Sequence, residues 1–340
     1  FDALKKALET ISDNVISTDV GDDMQVIKAV IDGSEEPYDF AIPRTEVYGG
    51  TSRHSDVTAI GNPILSVEDD LSRRDLTINS IAYDIETHQL IDPFGGVNDI
   101  HNKILRAVGN PVERFSEDPL RILRVIQFAN RFGFSIESET LEAIKQNVGM
   151  LDNITGERIL EELKKAVTKG NNKSNSRLVE MLSETGIGTH VFGSSFDPIS
   201  TEIVYGDRLL VNMILLFLNG GDFSRMKPST EVSTAITLAR NLEKGDPLKV
   251  MFKNERYLPI IGEAFRSIGD PNLMNKIRKL DGVPLAAKDI AISSEYLMSL
   301  GYQGPTLGQI QKKIIEAIYN KEIQNTESSI KNYLDSLSTK

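Results

Sequence analysis

The sequence predicts an α+β fold: an α/β head over residues 1–105, followed by an all-α remainder. Three observations predict it. Short β-like runs separated by turn residues crowd the first hundred positions. Apolar stripes of helical period take over after position 105. A chain of 340 residues, 40% hydrophobic and 26% charged, can fill more than one core.

Residues 1–12 read as a helix, with Leu4, Ala7, Leu8 and Ile11 on one face. β-like runs follow at 14–18, 25–31 and 38–43, separated by turn residues such as Asp32-Gly33. Another run, 89–92, is stopped by Pro93 and by Gly95-Gly96. Leu120, Leu123, Ile126 and Phe132 then share one helical stripe, and Ile159, Leu160, Leu163, Ala166 and Val167 share a second. Helical patterns continue through 207–219, 229–243 and 305–319, with breaks at 171–175 and 186–198. The expected organisation is a head at 1–105, a neck at 106–185, a helical body at 186–280 and a helical tail at 281–340. In the tail, 293–300 and 306–319 read as a helix pair. Lys312, Lys313 and Lys321 there suit either nucleic-acid phosphates or a solvated face.

Composition excludes several function classes. There is no cysteine, so disulfides, thiol nucleophiles and cysteine-ligated zinc are out, and a reducing cytoplasmic setting is expected. The four histidines are scattered. No apolar run reaches the ~18 residues of a membrane span. The net charge of −11 argues against non-specific nucleic-acid binding by the whole chain. The charge is uneven: residues 1–100 carry 20 acidic and 7 basic side chains, the rest 29 and 31. A local basic face on the later two thirds is therefore compatible with the total.

The most informative segment is the helix expected over 116–132, with Ser116 as N-cap and Pro119 in its first turn. Asp118, Arg121 and Arg124 recur every third residue and so share a face. Such a face suits a solvated ion pair, and it also suits base recognition. A carboxylate accepts and a guanidinium donates. Cytosine presents an amino donor beside ring and carbonyl acceptors, and adenine an amino donor beside a ring acceptor. One Asp–Arg pair matches both. Uracil and guanine would turn a carbonyl oxygen toward the carboxylate, leaving a buried acceptor unpaired at a cost of about 1–3 kcal/mol.

This segment, Glu117-Asp118-Pro119-Leu120-Arg121, resembles the nucleotide-templating motif of the tRNA nucleotidyltransferases: the CCA-adding enzymes of the bacterial and eukaryotic class and the related bacterial poly(A) polymerases. Further motifs follow the family's order. Arg73-Arg74-Asp75-Leu76-Thr77-Ile78-Asn79-Ser80 resembles a nucleotide-contact motif, and Asp92-Pro93-Phe94-Gly95-Gly96 a hinge between head and neck. Leu105 through Phe115 resembles the approach to the templating helix. Gly156-Glu157-Arg158-Ile159 resembles the start of a supporting neck helix, and Tyr38 through Glu46 a strand and arginine of the head. The resemblance implies addition of C and A to tRNA 3′ ends from CTP and ATP. Arg74 would meet the nucleotide phosphates, Asp75 and Asn79 would read the ribose or brace the site, and Asp118 and Arg121 would read the base with Arg124 beside them. Gln127 stands where many relatives carry a further arginine, which bears on triphosphate binding or base preference. The same motifs serve A-adding enzymes, CC-adding enzymes and poly(A) polymerases. A binding protein without catalysis is a reading from another class.

The family's reaction uses Mg2+ held by an Asp-x-Asp motif that follows Gly-Gly-x-Val-Arg-Asp, and neither motif occurs in the chain. Gly49-Gly50-Thr51-Ser52-Arg53 is only superficially similar to the glycine motif, and Glu68, Asp69 and Asp70 form an acidic cluster of another kind. The resemblance therefore implies that the catalytic carboxylates lie upstream of Phe1, with Asp39 as the one candidate accessory metal ligand within the chain.

Overall fold

A computed structural model describes residues 2–12, 15–19, 25–31, 34, 36–48, 57–169, 174–193, 209–218 and 222–338. The chain divides into two compact units, Phe1–Phe196 and Asp197–Lys340.

The first unit opens with helix α1 (Asp2–Glu9) and three antiparallel strands in the order β1 (Val15–Asp19), β2 (Gln25–Ala29), β3 (Tyr38–Ala41). Alternation along β2 buries Ile27 and Ala29, which meet Leu8 of α1, with Val15, Ile31 and Phe40 packed around them. The run expected over 38–43 stops at Ala41. A new strand, β4 (Arg44–Tyr48), pairs with β5 (Val57–Gly61) as a separate ribbon. The turn at Asp32-Gly33 and the segment Gly49 to Arg53 lie outside the described residues.

Helix α2 (Val67–Ser72) begins with a capping box between Ser66 and Asp69. A 3₁₀ turn (Thr77–Asn79), the hairpin β6 (Ala82–Asp84) with β7 (Gln89–Ile91), and α3 (Gly96–Asn102) follow. Strand β8 (Ile104–Leu105) pairs in parallel with β9 (Ser135–Ile136), so a short sheet element enters the segment expected to be all helical. Between β8 and β9 lie α4 (Pro111–Glu117) and α5 (Leu120–Phe132); α6 (Ser138–Asn147), α7 (Gly156–Lys169), α8 (Ser174–Glu184) and α9 (Ile187–Phe192) come after β9. Helix α5 is the hub: Ile122, Leu123, Val125, Ile126 and Ala129 are buried, and α4, α7 and α8 pack on it. Helix α9 packs on α8 and on the 3₁₀ turn at 148–153, which joins 187–192 to the neck elements.

The second unit is helical. Helix α10 (Leu209–Leu218) is apolar almost all round and is buried from Val211 to Phe217, against α11 (Thr230–Lys244) and α13 (Leu258–Ile268). The short α12 (Pro247–Met251), then α14 (Pro271–Arg278), α15 (Ser294–Ser299), α16 (Pro305–Tyr319) and α17 (Glu327–Ser338) complete it. Lys312 sits 3.9 Å from Glu316 on α16. No helix of the described residues is long and apolar enough to cross a membrane.

In the glycine pair expected as a hinge, Gly96 is a close-packed position and Gly95 is not. Gly95 caps α3 with φ +74° and has open space around it. Gly96 is buried against the 3₁₀ turn, and a Cβ built there would lie 2.2 Å from the Thr77 carbonyl oxygen. The amides of Gly96 and Val97 donate to the Asp92 carboxylate, which fixes the turn further. We expect Gly96→Ala to destabilise the first unit by about 1–3 kcal/mol through overpacking, more than Gly95→Ala, in urea unfolding followed by circular dichroism. Equal costs for the two variants would count against this packing role.

Candidate functional site

One wall of the site is the chain from Ser72 to Asn79. The amide of Thr77 donates to the Arg106 carbonyl, the amide of Val108 to the Asp75 carbonyl, and Leu76 bridges Ala107. These bonds hold the motif at the seam between head and neck. Asp75, 7% exposed, is a junction there. Its Oδ1 accepts from the Leu76 amide at 2.9 Å and from Asn79 Nδ2 at 3.0 Å, and its Oδ2 accepts from Arg124 Nε at 2.7 Å. Arg74 donates to the Asn79 carbonyl at 3.2 Å and to Asp70 Oδ2 at 3.3 Å.

The acidic cluster beside this wall is used locally. Asp69 caps α2. Asp70 accepts from Arg73 at 2.6 Å and from the Arg44 amide at 3.2 Å. Burial pushes the Asp70 carboxyl up. Its hydrogen bond and ion pair to Arg73, with the Arg44 amide and Arg74, more than offset this and leave it below the ordinary carboxylate value.

The opposite wall is the α4–α5 junction with α7. The expected helix over 116–132 is interrupted. Ser116 lies inside α4, where its hydroxyl donates to the Val112 carbonyl, so it caps nothing. Asp118 is extended, with φ −140° and ψ 99°, because a residue before proline avoids the helical region. Helix α5 starts at Leu120, and Asp118 Oδ1 accepts the Leu120 amide at 3.2 Å. Arg158 on α7 donates from Nη2 to both Asp118 oxygens at 3.1–3.2 Å. Arg121, 6% exposed, donates to Glu117 at 2.9 Å and, across the seam, to the Arg73 carbonyl at 2.8 Å. Arg124 lies over the Phe128 ring at 5.5 Å. Burial opposes its charge, but Asp75 outweighs that and raises its pKa.

Between the walls is a cavity of 610 Å³, within the usual range for a small-molecule site. All six residues singled out as nucleotide contacts line it: Arg74, Asp75 and Asn79 on one side, Asp118, Arg121 and Arg124 on the other. Arg44, Arg73, Arg158 and Glu162 line it too. Six arginines against three carboxylates make this a cationic cavity at the seam of the acidic head and the neck, suited to an anionic ligand. Gln127 is buried at 3% exposure and is not among the residues lining the cavity.

Glu117, Arg158 and Glu162 were not singled out as site residues. Glu117 belongs to the same motif as Asp118, and Arg158 to the quoted neck motif, but their partners lie across helix boundaries that spacing does not reveal. Asp39, the candidate metal ligand, is 58% exposed and pairs with Lys28 across β2 and β3 at 3.1 Å. Among the described residues, no group of three or more His, Asp or Glu could hold a metal ion. The described residues do not fit a metal site of that kind.

Residues 2–106 match the family described as the Poly A polymerase head domain, and residues 133–197 the family described as the probable RNA and SrmB-binding site of polymerase A. The chain is 31% identical to the CCA-adding enzyme of Pediococcus pentosaceus over 94% of its own length and 84% of that protein. It is 30% identical to that of Bacillus licheniformis over 99% and 88%. The crystal structure of the Bacillus stearothermophilus CCA-adding enzyme in complex with CTP aligns with a TM-score of 0.64 and 25% identity, covering 95% of this chain and 84% of that one. The Thermotoga maritima CCA-adding enzyme complexed with tRNA aligns with a TM-score of 0.65 and 20% identity, covering 99% and 84%.

The depressed Asp70 pKa sets a sign for acid sensitivity. A carboxylate with a lowered folded pKa stabilises the fold above its unfolded value of 3.8, and the contribution is lost as pH falls through the folded value. We expect Asp70→Asn to be less stable than the parent at pH 6, with the gap closing below about pH 4, in urea unfolding across that range. A gap independent of pH would remove the ion pairs as its cause.

Proposed function

Because the chain belongs to the CCA-adding enzyme family of tRNA nucleotidyltransferases, we propose that the cavity between residues 72–79 and α5 is where the incoming nucleotide is chosen. The reaction is template-independent addition of C and A, from CTP and ATP, to the 3′ end of tRNA. One observation carries the site assignment: six side chains from two motifs, separated by up to 50 positions, meet in one cationic cavity.

The chemistry of selection follows from the partners. Asp118 offers an acceptor to the amino group shared by cytosine and adenine, and Arg121 a donor to the ring nitrogen beside it. Neither side chain has to find its orientation. Arg158 and the Leu120 amide hold Asp118, while Glu117 and the Arg73 carbonyl hold Arg121. A carboxylate has about four lone-pair sites, so Asp118 keeps acceptor capacity beyond these contacts. Uracil and guanine bring a carbonyl oxygen to that acceptor and are rejected. Arg74 and its neighbouring arginines meet the triphosphate, and Asp75 and Asn79 face the ribose.

We assign nucleotide binding to the head at 1–105 together with the neck at 106–185, and tRNA contact to the helical neck, body at 186–280 and tail at 281–340. The family match over residues 133–197 supports the neck in this role. The family generally uses a divalent metal. We take it to be magnesium, which stabilises charge on the transferring phosphoryl group. Among the described residues, no group of three or more His, Asp or Glu is placed to hold it. A cytoplasmic site of action accords with the cysteine-free composition.

The test is incorporation of labelled CTP, ATP, UTP and GTP into tRNA lacking its CCA end. The parent should add C and A. Asp118→Ala and Arg121→Ala should each lose addition outright or lose discrimination against U and G by roughly 5–150-fold, the equivalent of about 1–3 kcal/mol. Unchanged selectivity in both variants defeats the base-reading assignment.

A further inference from the structure

The cavity contains one carboxylate whose pairing is incomplete. Glu162 is 4% exposed; its Oε1 accepts from Lys165 at 2.7 Å, and its Oε2 is buried with no hydrogen-bonding partner among the described residues. A buried unpaired acceptor is costly, and a charged one more so. Because Oε2 is out of reach of solvent, a ligand in the cavity does not touch it directly. A neighbouring side chain that turns toward it can serve as its donor.

Arg124 is that side chain. It lines the same cavity, on α5, which packs against the α7 helix that bears Glu162. Its Nε engages Asp75, and its Nη groups make no hydrogen bond among the described residues. It is 34% exposed, so it has room to turn, and the Glu162 charge already favours its own. The other two arginines of this wall are engaged elsewhere, Arg158 with both oxygens of Asp118 and Arg121 with Glu117 and the Arg73 carbonyl. Meanwhile Arg124 covers Asp75 Oδ2, and Asp75 Oδ1 is taken by Leu76 and Asn79. As found, both Asp75 oxygens hold partners, and the Oδ2 that a ribose hydroxyl would meet is held by the Arg124 guanidinium.

Building on the nucleotide-site reading above, we propose that Glu162 is a positioning residue that gives Arg124 a second seat. When a nucleotide enters, the guanidinium passes from Asp75 Oδ2 to Glu162 Oε2, and the freed Asp75 oxygen accepts a ribose hydroxyl. The exchange swaps one ion pair for another and satisfies the buried oxygen. The nucleotide supplies the difference through its hydroxyl, so only a ribose-bearing ligand drives it.

Equilibrium binding of CTP and of 2′,3′-dideoxy-CTP to the full chain tests this. The parent should prefer CTP by about tenfold or more, the value of a hydrogen bond to a charged group. Glu162→Gln should lose most of that preference while binding the dideoxy nucleotide as the parent does. Adding Glu162→Gln to Arg124→Ala should change the preference no further. An undiminished preference in Glu162→Gln, an equal loss for both nucleotides, or additive losses in the double variant overturns the proposal and leaves the nucleotide site standing. A parent chain that binds neither nucleotide overturns both. If Glu162→Gln does not fold, the Arg124 Nε–H resonance of the ¹⁵N-labelled parent, assigned by its disappearance in Arg124→Lys, decides. It should shift with CTP and not with the dideoxy nucleotide, and a resonance that responds alike to both overturns the proposal.

Discussion

The junction at Asp75 is the constraint on which the rest of the first unit's site depends. Its carboxylate is tied at one oxygen to its own loop and at the other to Arg124, 49 residues further along the chain. The pairing is short and mostly withdrawn from water, so leaving either partner alone would strand a buried charge. Around it the backbone bonds between 75–77 and 106–108 and the Arg121 contact to the Arg73 carbonyl repeat the same connection. The cavity is what remains between two walls fastened at that line.

Local charge in this unit runs against its average. The first hundred residues are strongly acidic, yet the cavity wall is dominated by arginine. Nearly every acid close to it is neutralised by a named partner: Asp70 by Arg73 and Arg74, Glu117 by Arg114 and Arg121, Asp118 by Arg158. The surplus guanidinium charge is what a polyanionic ligand meets. Net charge of a domain is therefore a poor guide to the sign of its site when ion pairs are formed at short range.

Much of this was legible in the amino-acid sequence, and the failures have identifiable causes. The stripes of α5 and α7 came from helical period, and the six cavity residues from motif resemblance, because both are local in sequence. The break between α4 and α5 was missed because Ser116 and Pro119 make an acceptable helix start. Only the extended backbone at Asp118 shows that one helix ends before the next begins. The β4–β5 ribbon was missed because Ile42-Pro43 reads as the end of one strand rather than the link to another. At Gly95-Gly96 the sequence marks a turn but not the close approach of the Thr77 carbonyl to Gly96, which comes from a segment some twenty residues earlier. Glu162 carries no local signal: its meaning lies in a partner it lacks, and a missing contact has no sequence signature.

The Asp118-Pro119 step has a thermodynamic side. Most of the order in a binding site must be bought on folding with conformational entropy, about 1–2 kcal/mol for each backbone position. A residue followed by proline has already surrendered the helical region in the unfolded chain, and the proline has surrendered most of its freedom in φ. The backbone conformation at Asp118 is thus biased by covalent geometry that exists before any packing forms, and Arg158 and the Leu120 amide then aim its carboxylate. Asp118 takes its place at a smaller loss of disorder than the arginines opposite it, whose long side chains are ordered only by the folded structure around them.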